Sequence, residues 1–180
     1  MPTTDPRPSV RAVRVTIADG RAVTVRELLP DDAGALVAAV EAADPVDLRR
    51  RFMGCPPPAS VLVERLQAAD GVHNLGLGAF TDEGELVGVA QFDRDDDRPT
   101  AEVAIEVQKG WQNQGLGTAL LARLAEVALT RGVHHFTATF LADNMPLRKL
   151  LRDVASLVTT TYGQGEGHID LDLDADRRDG

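Results

Sequence analysis

Thr100–Arg131 reads TAEVAIEVQKGWQNQGLGTALLARLAEVALTR, and the fold follows from how this stretch is parsed. Val103, Ile105 and Val107 alternate with Glu102, Ala104 and Glu106, the two-residue period of an extended chain whose side chains switch faces. Gly110, Gly115 and Gly117 then surround Gln112-Asn113-Gln114. Directly afterwards Leu116, Leu120, Leu124 and Val127 fall at helical spacing up to Gly132. Strand, glycine loop and helix therefore follow one another. Such a loop leaves the first N–H groups of the helix without partners at the positive end of its dipole, which favours a bound phosphate.

Several phosphate binders share that order, and residue types separate them. A P-loop needs lysine and a hydroxyl after its last glycine, and Leu116-Gly117 stands there instead. A dinucleotide fingerprint needs a third glycine where Leu120 sits, within a βαβ unit. Gln112-Asn113-Gln114-Gly115-Leu116-Gly117 instead resembles the acyl-CoA loop of the GNAT superfamily of N-acetyltransferases, Q/R-x-x-G-x-G/A, placed as in that family directly after a strand. Three further segments, Asp47–Gly54, Ala101–Ala104 and Leu141–Leu147, resemble the bacterial protein-lysine acetyltransferases within it.

Around this centre the 180 residues suit one domain with a substantial core. Residues 1–12 read as a disordered leader, 13–173 as the domain and 174–180 as a polar tail. Val13, Val15 and Ile17, then Val23 and Val25, flank Asp19-Gly20 and predict a hairpin with a two-residue turn. Helices are expected from Pro30, over residues 46–52, and over 61–69 with Ser60 as cap. Leu75–Phe80 and Leu86–Phe92 form a second hairpin. His135–Ala142 is another strand, a helix starts at Asn144, and two strands, Leu157–Tyr162 and His168–Leu173, close the chain. The resulting class is α+β: a mixed, mostly antiparallel central sheet flanked by helices, in the GNAT order over residues 22–173, with an extra N-terminal strand.

A net charge of -9 argues against nucleic acid as a partner and suits a cationic acceptor. Cys55 is the only cysteine, and no membrane span or signal-peptide core is visible, so the expected location is the cytoplasm. His134 and His135 point to opposite faces of a strand, and no metal site is expected.

The resemblance implies acetyl-CoA as co-substrate, with the amides of Asn113, Gln114, Gly115, Leu116, Gly117 and Thr118 around its pyrophosphate. Gln112 opens that motif, and Asn113 stands where the family often has glycine. Ile105, Glu106 and Val107 would run beside the pantetheine arm, at a bulge ending the central strand, with the Val107 N–H as oxyanion donor. Asn144 matches the family's asparagine that steadies the arm. Acetyl transfer to an amine also needs a base, because a lysine amine with a free pKa of about 10.4 arrives protonated at neutral pH. Glu102 occupies the position of the family's glutamate and is the first choice, with Glu106 in reserve. Leu151 stands where many relatives keep a tyrosine acid, and Arg49-Arg50-Arg51 reads as a solvated helix face. The implied acceptor is a protein lysine. A small amine, or a non-catalytic acyl-CoA-binding role, is the alternative, and no oligomeric state is specified.

Overall fold

The computed structural model of the chain describes residues 10–153 and 158–174. Most of the expected leader and tail lies outside them.

Among the described residues, eight strands form one sheet in the order β1-β2-β3-β4-β5-β6-β8-β7. They are β1 Val13–Thr16, β2 Ala22–Glu27, β3 Asn74–Phe80, β4 Leu86–Asp93, β5 Thr100–Val107, β6 His135–Leu141, β7 Val158–Gly163 and β8 Glu166–Asp172. Every neighbouring pair is antiparallel except β5–β6, which is parallel. Parallel neighbours need a crossover, and α4, Leu116–Thr130, supplies it. Helices α1 Ala33–Ala42, α2 Pro45–Arg51 and α3 Ala59–Ala68 lie on the other face, and α5, Met145–Asp153, packs beside α4.

The leucine spacing of α4 does what the sequence predicts. Leu116, Leu120, Leu121, Leu124, Val127 and Ala128 are buried against the sheet residues Val87, Ala90, Phe92, Val103 and Phe136. Fully burying one such side chain is worth about 1.5–3 kcal/mol, so this face anchors the helix and the loop before it. Gly88 permits the close approach: a Cβ there would stand 2.9 Å from the Leu120 Cδ1 atom. A smaller cluster of Leu28, Phe80 and Leu86 seats Leu36 of α1 and Leu66 of α3 on the opposite face.

Two local expectations are corrected. The β1–β2 turn has three residues, Ala18 to Gly20, closed by the Ile17 N–H on the Arg21 carbonyl (2.9 Å), with Gly20 at φ +89°. That is the type I turn plus left-handed glycine of a longer hairpin. Helix α3 starts before Ser60, its N-cap position being Pro58 (φ -53°, ψ 146°). The prolines hold the chain extended and release it into the helix at Ala59. No described helix is long and apolar enough to cross a membrane.

Candidate active site

The loop between β5 and α4 is fixed from three sides. Gln112 donates its side-chain amide to the Val107 carbonyl (2.9 Å) and to Asp47 Oδ2 on α2 (2.7 Å). Gln114 accepts the Ala18 N–H from the first hairpin at 3.0 Å. Arg21 of that hairpin stacks its guanidinium on Trp111, 3.9 Å from the ring centre, and donates to the Gly110 carbonyl at 2.8 Å. Asn113 and Gly115 both adopt left-handed backbone, φ +59° and +84°. Asn is one of the few non-glycine residues that tolerate this, which explains how it replaces a glycine. Its Oδ1 accepts from Lys149 Nζ at 3.2 Å. The main-chain N–H groups of Asn113, Gln114 and Gly115 find no acceptor among the described residues. Those of Leu116, Gly117 and Thr118 open a helix whose first closing bond is Ala119 N–H to Gly115 carbonyl (3.0 Å). Together they form a concave array of donors at the positive end of a 15-residue helix.

Next to that array the sheet opens. β5 and β6 are paired only at Thr100–His135, Ala101–Phe136 and Glu102–Thr137, although β5 continues to Val107 and β6 to Leu141. The parted strands enclose a cleft of about 280 Å³ lined by Val103–Val107, Ala138–Phe140, Gly115, Gly117, Thr118, Asn144 and Lys149. The Gln108 N–H bonds the Val87 carbonyl at 2.9 Å. By the alternation of an antiparallel ladder, the main-chain groups of Ile105 and Val107 then face the cleft, while those of Glu106 are directed to β4. Glu106 therefore borders the cleft through its side chain and not through its backbone. The expected bulge is also absent from β5, whose pairing with β4 runs without a shift; the register shift among these strands lies at Ala79/Phe80 in β3. The opening comes from loss of the β6 partner instead.

On the face away from α4, Glu102 and Glu106 flank Ala104, each about 7 Å along the strand from it. The small Ala104 side chain leaves room between the two carboxylates. Glu102 is exposed, at the last paired position, and borders an open groove with Thr137, Thr139 and His168; the groove shares Thr139 with the cleft. Glu106 is half-buried, and burial pushes its carboxyl above the usual glutamate range against the pull of Arg51. Arg51 and Glu106 both border the cleft and also a second pocket of about 100 Å³ between α1, α3 and the sheet.

Asn144 caps α5 by accepting the Leu147 N–H at 3.1 Å and also lines the cleft. Tyr162 is exposed and meets Phe140 edge to face, outside the cleft lining. Sequence reasoning missed Asp47, Lys149 as a partner of Asn113, and Arg51. The three arginines do not form one solvated face: Arg49 pairs with Asp143 (3.6 Å), Arg50 with Asp47 (3.3 Å), and Arg51 turns inward.

A donor-lined helix start beside a parted parallel pair, in a sheet of this order, defines an acyltransferase fold. The sequence profile of the acetyltransferase (GNAT) family matches residues 45–154, and the chain belongs to that family. It is 29% identical over 144 residues to the acetyltransferase Pat of Mycolicibacterium smegmatis, covering 79% of this chain and 43% of that protein. The chain thus spans less than half the length of this curated relative. The GNAT domain of Streptomyces lividans PAT superimposes with a TM-score of 0.82 at 29% identity, covering 89% of this chain and 96% of that one. The structure of yncA from Salmonella typhimurium, solved with its cofactor acetyl-CoA, shares the fold with a TM-score of 0.67 at 21% identity, covering 84% of this chain and 94% of that one.

Proposed function

We propose that this protein transfers the acetyl group of acetyl-CoA directly to a primary amine, the side-chain amine of a protein lysine, in the cytoplasm. One observation carries the reading: the parting of β5 and β6 beside the unpartnered amides of the Asn113–Thr118 turn. Phosphates of the donor bind those amides, and Lys149 at the cleft wall adds a positive charge. The pantetheine arm runs between the strands and takes the place of the missing β6 partner on the main chain of Ile105 and the N–H of Val107. Asn144 steadies the arm with its side-chain amide.

The acceptor lysine enters over the open groove. Glu102, exposed at the point where the strands part, takes the ammonium proton. The free amine attacks the thioester carbonyl, the C–N bond forms, and the Val107 N–H donates to the oxygen as negative charge develops there. The C–S bond breaks, and the leaving thiolate takes a proton from solvent. The resemblance of Asp47–Gly54, Ala101–Ala104 and Leu141–Leu147 to bacterial protein-lysine acetyltransferases supports the lysine acceptor.

The test is release of CoA from acetyl-CoA in the presence of lysine peptides, with mass-spectrometric detection of acetyl-lysine. Turnover of lysine peptides, reduced about 10²-fold or more in Glu102→Gln, supports the reading. Full turnover in Glu102→Gln removes Glu102 from the role of base, and no turnover with any amine removes the activity.

A further inference from the structure

Three side chains in the run that follows β5 reach back to the segment carrying α1 and α2. Gln108 donates its side-chain amide to the Ala39 carbonyl (2.7 Å), Lys109 Nζ meets Asp44 Oδ2 (2.8 Å), and Gln112 donates to Asp47 Oδ2 (2.7 Å). Of the three, Gln112 also bonds the main chain of β5, through the Val107 carbonyl at 2.9 Å. A carbonyl and a carboxylate only accept, so the nitrogen end of the Gln112 amide must stand between them, with both of its hydrogens engaged. Asp47 is fixed in turn: its Oδ1 accepts from Arg50 Nη1 at 3.3 Å, and its side chain is only 18% exposed. Val107 faces Gly88 at a non-hydrogen-bonded position of the antiparallel ladder, so its N–H and its carbonyl both point away from β4, toward the cleft. Those two groups act oppositely on a thioester oxygen that gains negative charge: the N–H stabilises it and a bare carbonyl repels it. The β6 pairing stops at Glu102–Thr137, and the Gln112 amide stands in for a ladder neighbour at the end of β5. With its carbonyl occupied, Val107 presents its N–H to the cleft.

We propose that Gln112, anchored by Asp47, is a positioning residue: it pins the end of β5 so that the Val107 N–H meets the thioester oxygen, and it makes the seating of α2 part of that geometry. This rests on acetyl transfer at the cleft with Val107 as the oxyanion donor. Phosphate binding is separable from it. The turn before α4 is also held by the Ala18–Gln114 and Arg21–Gly110 bonds, so removing the Gln112 side chain leaves the donor array in place. A misplacement of about 1 Å near the reacting atoms costs about 10²-fold in rate. The consequence is a fall in turnover without a matching fall in affinity for CoA. Asp47 acts one step further back, because Gln112 still reaches the Val107 carbonyl when its anchor on α2 is lost.

The experiment compares the wild type with Gln112→Met, Asp47→Ala and the double variant, reading kcat with a lysine peptide, Kd for CoA by calorimetry, and the Val107 amide resonance in protein labelled with 15N-valine. Gln112→Met keeps the length of the side chain and removes its donors. It is expected to lower kcat about ten-fold or more, with CoA affinity within about two-fold of the wild type. Asp47→Ala is expected to lower kcat about three-fold or more, and the double variant should be no slower than Gln112→Met, because both residues act through one contact. Acetyl-CoA should shift the Val107 resonance of the wild type in a way that CoA does not, and Gln112→Met should abolish that difference. Unchanged kcat in either single variant overturns the proposal, as does a loss of CoA affinity in step with kcat, or losses that add in the double variant. A wild type that acetylates no amine would strike the transfer reaction itself, and the resonance still decides the positioning: a thioester-specific shift abolished in Gln112→Met and in Asp47→Ala supports it, and one that persists in both overturns it.

Discussion

Asn113 sits at φ +59°, a backbone region that costs most side chains about 1–2 kcal/mol and that Asn enters more easily. Asn113→Ala keeps a Cβ but loses the tolerance and the Lys149 contact. It is expected to lower stability by about 1 kcal/mol and to weaken acetyl-CoA binding several-fold, as read by thermal melts and calorimetry; unchanged affinity would remove the loop path from the binding account. Glu106 carries a pH signature. Its folded pKa is raised by burial, so the folded protein holds this proton more tightly than the unfolded chain. The stability tied to it is complete below the ordinary glutamate pKa of about 4.3 and is lost as pH rises through the raised value. Glu106→Gln should therefore melt higher than the wild type at pH 7 to 8, with the gap closing toward pH 4. A gap independent of pH would contradict the burial of this carboxyl. At this scale the sequence revealed Asn113, Gly115 and Asn144 because their spacing is local. Arg51 was hidden within a run of three arginines, and only the docking of α2 on the sheet turns one of them inward.

The first hairpin and the Gly110–Gly117 loop are joined by the Arg21–Trp111 stack, the Arg21–Gly110 bond and the Ala18–Gln114 bond. The turn of the first hairpin thus braces the donor-lined turn before α4. Arg21→Ala is expected to raise KM for acetyl-CoA about three- to ten-fold with kcat nearly unchanged, since it removes a cation–π contact and a charged hydrogen bond far from the reacting atoms. A fall in kcat at constant KM would oppose that assignment. The strand–loop–helix centred on Gly115 was legible because a two-residue period gives way to a helical one across glycines. The three-residue turn at Asp19, the start of α3 at Ala59 and the unbulged β5 were not. Those depend on ladder register and proline geometry, which apolar spacing does not encode.

The described residues set two helical layers on a sheet parted at its parallel β5–β6 junction, with the donor-lined turn before α4 at the mouth of the opening. Carboxylates Glu102 and Glu106 border the face away from α4, the side on which the proposed acceptor amine would enter. Under the proposed reaction, a net charge of -9 would draw a cationic acceptor toward that surface and repel a polyanionic donor except where the helix start and Lys149 offset it. Donor affinity should therefore rise with moderate salt before screening weakens the local contacts, and a monotonic fall from low salt would oppose this balance. Binding should also stabilise the fold, by about 2.7 kcal/mol at a hundred times Kd, which corresponds to a melting shift of roughly 5–10 °C for a chain of this size.

Titration of the purified protein with acetyl-CoA in a calorimeter is the most direct measurement. The geometry predicts saturable binding at one site per chain, weakened in Asn113→Ala and Arg21→Ala; a correctly folded sample with no affinity for acetyl-CoA or CoA would contradict it.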